Sequence, residues 1–174
     1  MTYLERYNEF LSLLPTLMKT VGFELQDGLV KSISKQFKKD DGKVFNNSDK
    51  LRKKSGALLN SFIDKNEESD SNIAFGNGQL NFKFGTRKKY AQIHEKGGFI
   101  KGTKRMESFF WAKYYETKKN EYKIIALSVK KKGGIKIKAR NYFSKGVQNF
   151  QDNKLSKFLE KTSKDLLQAW KATE

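Results

Sequence analysis

The sequence contains no cysteine, one proline and one histidine, and it lacks any long apolar run. Without cysteine there is no disulfide, no thiolate metal site, no iron–sulfur cluster and no thiol nucleophile. That absence fits a reducing compartment. A single histidine, His94, rules out a metal site built on two or more histidines of one chain. No stretch of about 18 apolar residues exists, so neither a spanning helix nor a membrane partner is expected. The first residues, Met1-Thr2-Tyr3-Leu4-Glu5-Arg6, lack the basic flank and apolar stretch of a secretory signal. The expectation is a soluble, intracellular protein. Acidic residues are scarce too: 19 Asp and Glu stand against 36 Lys and Arg, a formal net charge of +17. Such an excess attracts polyanions or acidic protein surfaces without specifying a fold or a chemistry.

What is present suffices for a core. A chain of 174 residues suits one domain. With 37% hydrophobic residues, including 14 Phe, 7 Tyr and 2 Trp, wholesale disorder is not expected. Leu14, Leu17, Met18, Val21, Leu25, Leu29, Ile33 and Phe37 recur at spacings of three and four, which predicts a long N-terminal helix. Pro15 fits its first turn, with Leu4 to Leu13 as a short preceding helix. The helix is expected to stop within Lys38-Lys39-Asp40-Asp41-Gly42. Ser48 to Leu59 reads as a short helix capped by Ser48, and Ser61 to Asp64 as a strand followed by a polar loop.

Then the period shortens. Ile73 and Phe75, and after Gly76-Asn77-Gly78-Gln79 also Leu80, Phe82 and Phe84, alternate with polar or small residues, which predicts a hairpin. Tyr90 to Glu95 reads as a helical turn ended by Gly97-Gly98. Helical spacing returns from Gly102 to Thr117 and, less distinctly from a strand, from Glu121 to Lys131. Ile135 and Ile137 alternate with lysines as a short strand. Leu155, Phe158, Leu159, Thr162, Leu166, Leu167 and Trp170 form the stripe of a C-terminal amphipathic helix. The pattern is an α+β fold. It has a long N-terminal helix, a small antiparallel sheet with a hairpin, an inserted helical basic segment and a C-terminal amphipathic helix. It is expected as a single domain over residues 1–174, with 99–136 as an elaborated basic insertion.

Residues 101–140 carry thirteen Lys or Arg and three Glu. The densest part is Lys130-Lys131-Lys132, followed by Lys136, Lys138 and Arg140, with a glycine pair between that permits close approach to a phosphate. These six are the candidate contacts for DNA phosphates or an acidic partner; the bland alternative is a solvated lysine face. Any DNA contact would be sequence-independent, because lysine is a point charge rather than a base-reading fork.

Other candidates are weaker. His94 and Glu95 are adjacent, but neighbours on a helical turn do not face each other, and no nucleophile elbow accompanies them. A small nuclease built on this pair would be a third class of function; a histidine that fixes a turn is the plainer reading. Glu67, Glu68 and Asp70 lack the spacing of a metal site and read as an acidic loop. Phe109, Phe110 and Trp111, with Tyr114 and Tyr115, would stack on bases, join a core or form a subunit interface. No phosphate-binding glycine loop is present, and no catalytic site, metal or cofactor is expected.

Four stretches together resemble a known family. They are Phe37 to Phe45 with Asp41-Gly42; Leu51-Arg52-Lys53-Lys54-Ser55-Gly56-Ala57-Leu58-Leu59-Asn60-Ser61-Phe62; Phe84-Gly85-Thr86 with Tyr90-Ala91-Gln92-Ile93-His94-Glu95-Lys96-Gly97-Gly98; and Ile137-Lys138-Ala139-Arg140-Asn141-Tyr142-Phe143. In this order they resemble the virion morphogenesis, or tail-completion, family of tailed phages, which shades into the head–tail connectors. Two prolines of the family's last element are replaced here by Lys138 and Asn141, and the stretch between Gly98 and Ile137 is longer and more basic.

The resemblance implies a structural, non-enzymatic protein of the neck or top of the tail. It would be assembled in the host cytoplasm as a homo-oligomeric ring around the DNA channel. Its neighbours would be a portal-side connector and the tail tube or tail terminator. It further implies that Tyr90, His94, Gly97 and Gly98 shape a turn, that Arg140 anchors the approach to the last helix, and that Phe109, Phe110 and Trp111 serve an interface. A sequence-independent nucleic-acid-binding protein outside any virion is the alternative.

Overall fold

Helix α1 (Tyr3–Ser34) opens the fold, and its first turn is closed by a reciprocal cap. Thr2 Oγ1 accepts from Glu5 N at 3.2 Å, and Glu5 Oε2 accepts from Thr2 N at 2.6 Å. The computed structural model describes residues 2–41, 48–53, 55–63 and 67–173. After α1 come β1 (Phe37–Lys39), β2 (Leu51–Lys53), α2 (Ala57–Asn60), β3 (Asn72–Gly76) and β4 (Gln79–Lys83). They are followed by α3 (Lys89–Lys96), β5 (Gly98–Lys101), α4 (Lys104–Thr117), α5 (Asn120–Lys132), β6 (Gly134–Ile137), α6 (Tyr142–Asn153) and α7 (Leu155–Lys171). The class is α+β, with the long N-terminal helix, the hairpin and the C-terminal amphipathic helix read from the sequence. No helix among the described residues is long and apolar enough to cross a membrane.

The chain packs as two compact units. The first comprises Met1–Gln36, Ser55–Lys88 and Phe143–Glu174; the second comprises Phe37–Lys54 and Lys89–Tyr142. The basic stretch 99–136 falls wholly within the second.

In the first unit, Ile33 and Phe62 are almost fully enclosed, with Leu29, Leu58, Leu59, Ile73 and Phe150 also buried. Phe62 stacks on Phe84 at 5.3 Å and on Phe143 at 5.6 Å. Strands β3 and β4 pair antiparallel with Ile73 opposite Phe82 and Phe75 opposite Leu80. Asn77 and Gly78, both at positive φ, supply the tight turn that the right-handed twist of a hairpin prefers. Gly146 of α6 lies against Ile33; a Cβ there would come within 2.7 Å of Ile33 Cα.

In the second unit, β1 and β2 pair in parallel, Phe37 opposite Leu51. Strands β5 and β6 pair antiparallel, Ile100 opposite Ile135. Helices α4 and α5 form a helical hairpin reversed at Lys118, which takes a left-handed conformation. Leu51, Ala91, Ala126, Val129 and Tyr142 are buried.

Several local expectations are corrected. Pro15 lies inside α1, which runs unbroken through the region expected as a separate Leu4–Leu13 helix. Contacts on both sides of the proline hold the helix against the hydrogen bond it forfeits. Arg6 lies 4.6 Å over the Trp170 ring, Phe10 meets Trp170 at 5.4 Å, and Glu24 pairs with Lys161 at 2.7 Å.

Helix α1 also ends at Ser34, before Lys38. Phe37 continues the helical spacing but is drawn into β1, where it meets the Tyr142 ring edge-on at 5.5 Å. The expected Ser48–Leu59 helix is instead a bend, β2 and the four residues of α2, because Leu51 pairs with β1 and Gly56 sits at φ +75°. Ser61 to Ile63 is a turn, not a strand; Asp64 lies outside the described residues, as do Gly42, Phe45 and Lys54 of the resemblance.

Strand β5 and helix α6 were not anticipated. Glycines on either side of Phe99-Ile100-Lys101 mask the first, and Gly146 with the polar residues around Phe150 masks the second.

Candidate basic interface

The six predicted contact residues separate into two groups. Lys130, Lys131 and Lys132 form the last turn of α5, where the negative end of the helix dipole favours cations. Gly133, at φ +70°, ends the helix, and Ser128 Oγ donates to Gly134 O at 3.0 Å. Lys136 follows on the wet face of β6. All four lysines are exposed, and none forms an ion pair among the described residues. Lys138 and Arg140 already have partners within the chain: Lys138 stays exposed but is ion-paired, and Arg140 is buried. Lys138 Nζ reaches Asp49 Oδ1 at 2.6 Å. Arg140 is 9% exposed and donates from Nη1 to Lys138 O at 3.1 Å. Of the six, the cations without an ion pair among the described residues are therefore those at the end of α5 and the start of β6.

The turn residues come together as well. Arg140 N donates to His94 O at 3.1 Å and Asn141 N to Glu95 O at 3.0 Å, which ties the end of α3 to the chain before α6. Gly97 takes φ +71°, and a Cβ there would stand 2.7 Å from Ala139 N, so a side chain is excluded twice over. Gly98 opens β5. The Tyr90 and His94 rings meet edge-on at 6.1 Å. It is the main chain of His94 that ties the turn; ring Nδ1 is buried and has no hydrogen-bond partner among the described residues. Burial, and then the Arg140 charge, hold His94 below its usual pKa. Tyr142 donates to Ala91 O at 3.5 Å, and burial pushes its hydroxyl well above the ordinary tyrosine range.

The aromatic run is divided by the helical hairpin. Phe109 and Tyr115 stay exposed, at 53% and 62%. Phe110 stacks toward Tyr122 of α5 at 6.4 Å, and Trp111 stacks on Tyr115 at 6.0 Å. Phe110 thus joins the two helices, Trp111 is half-buried, and Phe109 faces solvent.

Two of the acidic loop residues, Glu68 and Asp70, are paired with cations of their own unit. Asp70 accepts from Lys83 at 2.9 Å, which draws its carboxyl below the usual range, and Glu68 pairs with Lys88. No group of three His, Asp or Glu that could hold a metal occurs among the described residues.

An apolar cleft beside the free lysines was missed by sequence reasoning. It measures about 370 Å³ and is lined by Phe99, Ile124, Ile125 and Ile135, with Lys132 and Lys136 at the edge. The available signal was Phe99-Ile100, apolar residues flanked by glycines and lysines. The chain matches no protein-family model, no curated protein and no solved structure.

Proposed function

We propose that this chain is a structural protein of a tailed-phage virion. It would form part of the head–tail joint as a ring subunit around the DNA channel and perform no catalysis. The observation that carries the reading is the convergence of the stretches that resemble the tail-completion family. His94 and Glu95 bond the main chain of Arg140 and Asn141, joining the third stretch to the fourth. Phe62, Phe84 and Phe143, one from each of the last three stretches, stack together, and Ser61 Oγ lies 2.6 Å from Thr86 Oγ1. The lysines at the end of α5 suit a sequence-blind contact with DNA or with an acidic neighbouring ring.

The test is deletion of the gene in the phage that carries it, with particles counted by negative-stain electron microscopy. Filled heads lying apart from tails, or tails of irregular length, are expected. Normal, infectious virions would overturn the reading. They would shift the weight to a nucleic-acid binder outside the virion, which the cationic surface also favours. That alternative requires the isolated subunit to bind duplex DNA with a salt slope of about −0.9 per phosphate contact.

A further inference from the structure

We propose that the cleft between α5 and the β5–β6 ribbon docks an acidic, extended protein segment that inserts one apolar side chain. The inference rests on the joint reading above and names the chemistry of the partner that reading requires.

The cleft is lined mostly by apolar side chains, with two lysines among them. Phe99 and Ile124, each 56% exposed, stand beside the half-buried Ile125 and Ile135. Large apolar side chains left in water at one concave site mark a binding surface. Lys132 and Lys136 line its edge, and neither has an ion-pair partner among the described residues. Lys136 also borders a second cleft of about 440 Å³, formed by Gly97, Gly98 and Ala139 with Lys96 and Lys138. A segment crossing β6 from one cleft to the other would meet a succession of lysines. Strand β5 is exposed at all four residues and pairs with β6 alone among the described residues, so its backbone offers an edge to an extended chain.

Nucleic acid fits this arrangement less well. Phosphates would satisfy the lysines but would leave the isoleucines wet. Bases stack on aromatic faces, and Phe99 is the one aromatic side chain lining the cleft. Carboxylates flanking an apolar residue satisfy both parts of the site at once.

The probes are a short fluorescein-labelled peptide of aspartate and glutamate with one central phenylalanine, the same peptide with serine at the centre, and a labelled DNA duplex. Each is titrated into the full chain at fixed salt. The phenylalanine peptide is expected to bind about tenfold more tightly than the serine peptide. The double variant Phe99→Ser with Ile124→Ser changes only exposed side chains. It should erase that preference while leaving the serine peptide and the DNA as before.

Equal affinity of the wild-type chain for both peptides overturns the proposal, and that comparison needs no variant. Parallel loss of DNA binding in the double variant also overturns it, with nucleic acid as the occupant. Separated heads and tails on gene deletion, together with equal peptide affinities, would leave the joint role standing and reject the cleft alone.

Discussion

The two units handle charge in opposite ways. The first contains 14 basic and 12 acidic residues; the second, although shorter, contains 22 basic and 7 acidic. In the first unit, several lysines are matched within reach: Lys161 with Glu24, Lys83 with Asp70, Lys164 with Glu160 and Lys31 with Asp27. Such exposed pairs contribute little each, so the unit is held by its aromatic stack and by the burial of Ile33 and Leu29. In the second unit, pairing uses up the acids around Asp40, Asp41 and Asp49 and leaves the α5 lysines over. Self-repulsion of that kind works against compaction. It is tolerable where a partner supplies the missing negative charge.

The contrast can be broken most directly in the first unit. Phe62→Ala removes the ring that Phe84 and Phe143 share and should cost about 3–5 kcal/mol in urea denaturation. A loss below about 1 kcal/mol would remove the aromatic stack as that unit's main support. In the second unit, Gly97→Ala demands a strained φ and a clash with the Ala139 backbone. A loss of about 1–3 kcal/mol is expected by the same measurement, and a neutral result would mean that the turn yields easily.

Next in size is the charge itself. Replacing Lys130, Lys131 and Lys132 by glutamine should flatten the salt dependence of DNA binding by about 0.9 for each phosphate contact removed. The matching triple in the first unit, Lys157, Lys161 and Lys164 to glutamine, should leave the slope unchanged. Equal effects of the two triples would show that only total charge counts.

The smallest effect sharpens the comparison by pH. His94 is the chain's one histidine and belongs to the second unit. Its folded pKa lies below the unfolded value of 6.5, so the unfolded state takes up the proton first. The stabilising contribution is complete above pH 6.5 and is lost as pH falls through the folded pKa. Urea midpoints should therefore decline on acidification through that window, and His94→Gln should flatten the decline. A variant with the wild-type pH profile would assign the decline to carboxylates instead.

Much of the fold was legible because its signals are local. The stripe from Leu14 to Ile33, the alternation around Asn77-Gly78 and the stripe from Leu155 to Trp170 each specify an element without help from the rest of the chain. Errors gathered where distant residues compete with local preference. Phe37 continues the helical spacing of α1 but is taken by β1, paired with a strand fourteen residues away. Strand β5 has no alternation to reveal it, because it lies on the surface with all four residues exposed. In the candidate site, the lysine cluster was plain to read. That Lys138 pairs with Asp49 and Arg140 is buried, and that Phe99, Ile124 and Ile135 share a cleft, was not.

The sequence alone therefore settles the helix-rich α+β class, the hairpin, the closing helix and the size of the positive charge. Periodicity and composition depend only on neighbouring residues. The tertiary structure decides how that charge is divided. It joins Phe37–Lys54 to Lys89–Tyr142, pairs Lys138 with Asp49, and leaves Lys132 and Lys136 beside an apolar cleft with no ion pair among the described residues. Which cation finds a carboxylate depends on which distant segments the backbone brings within a few ångströms, and no local pattern encodes that distance.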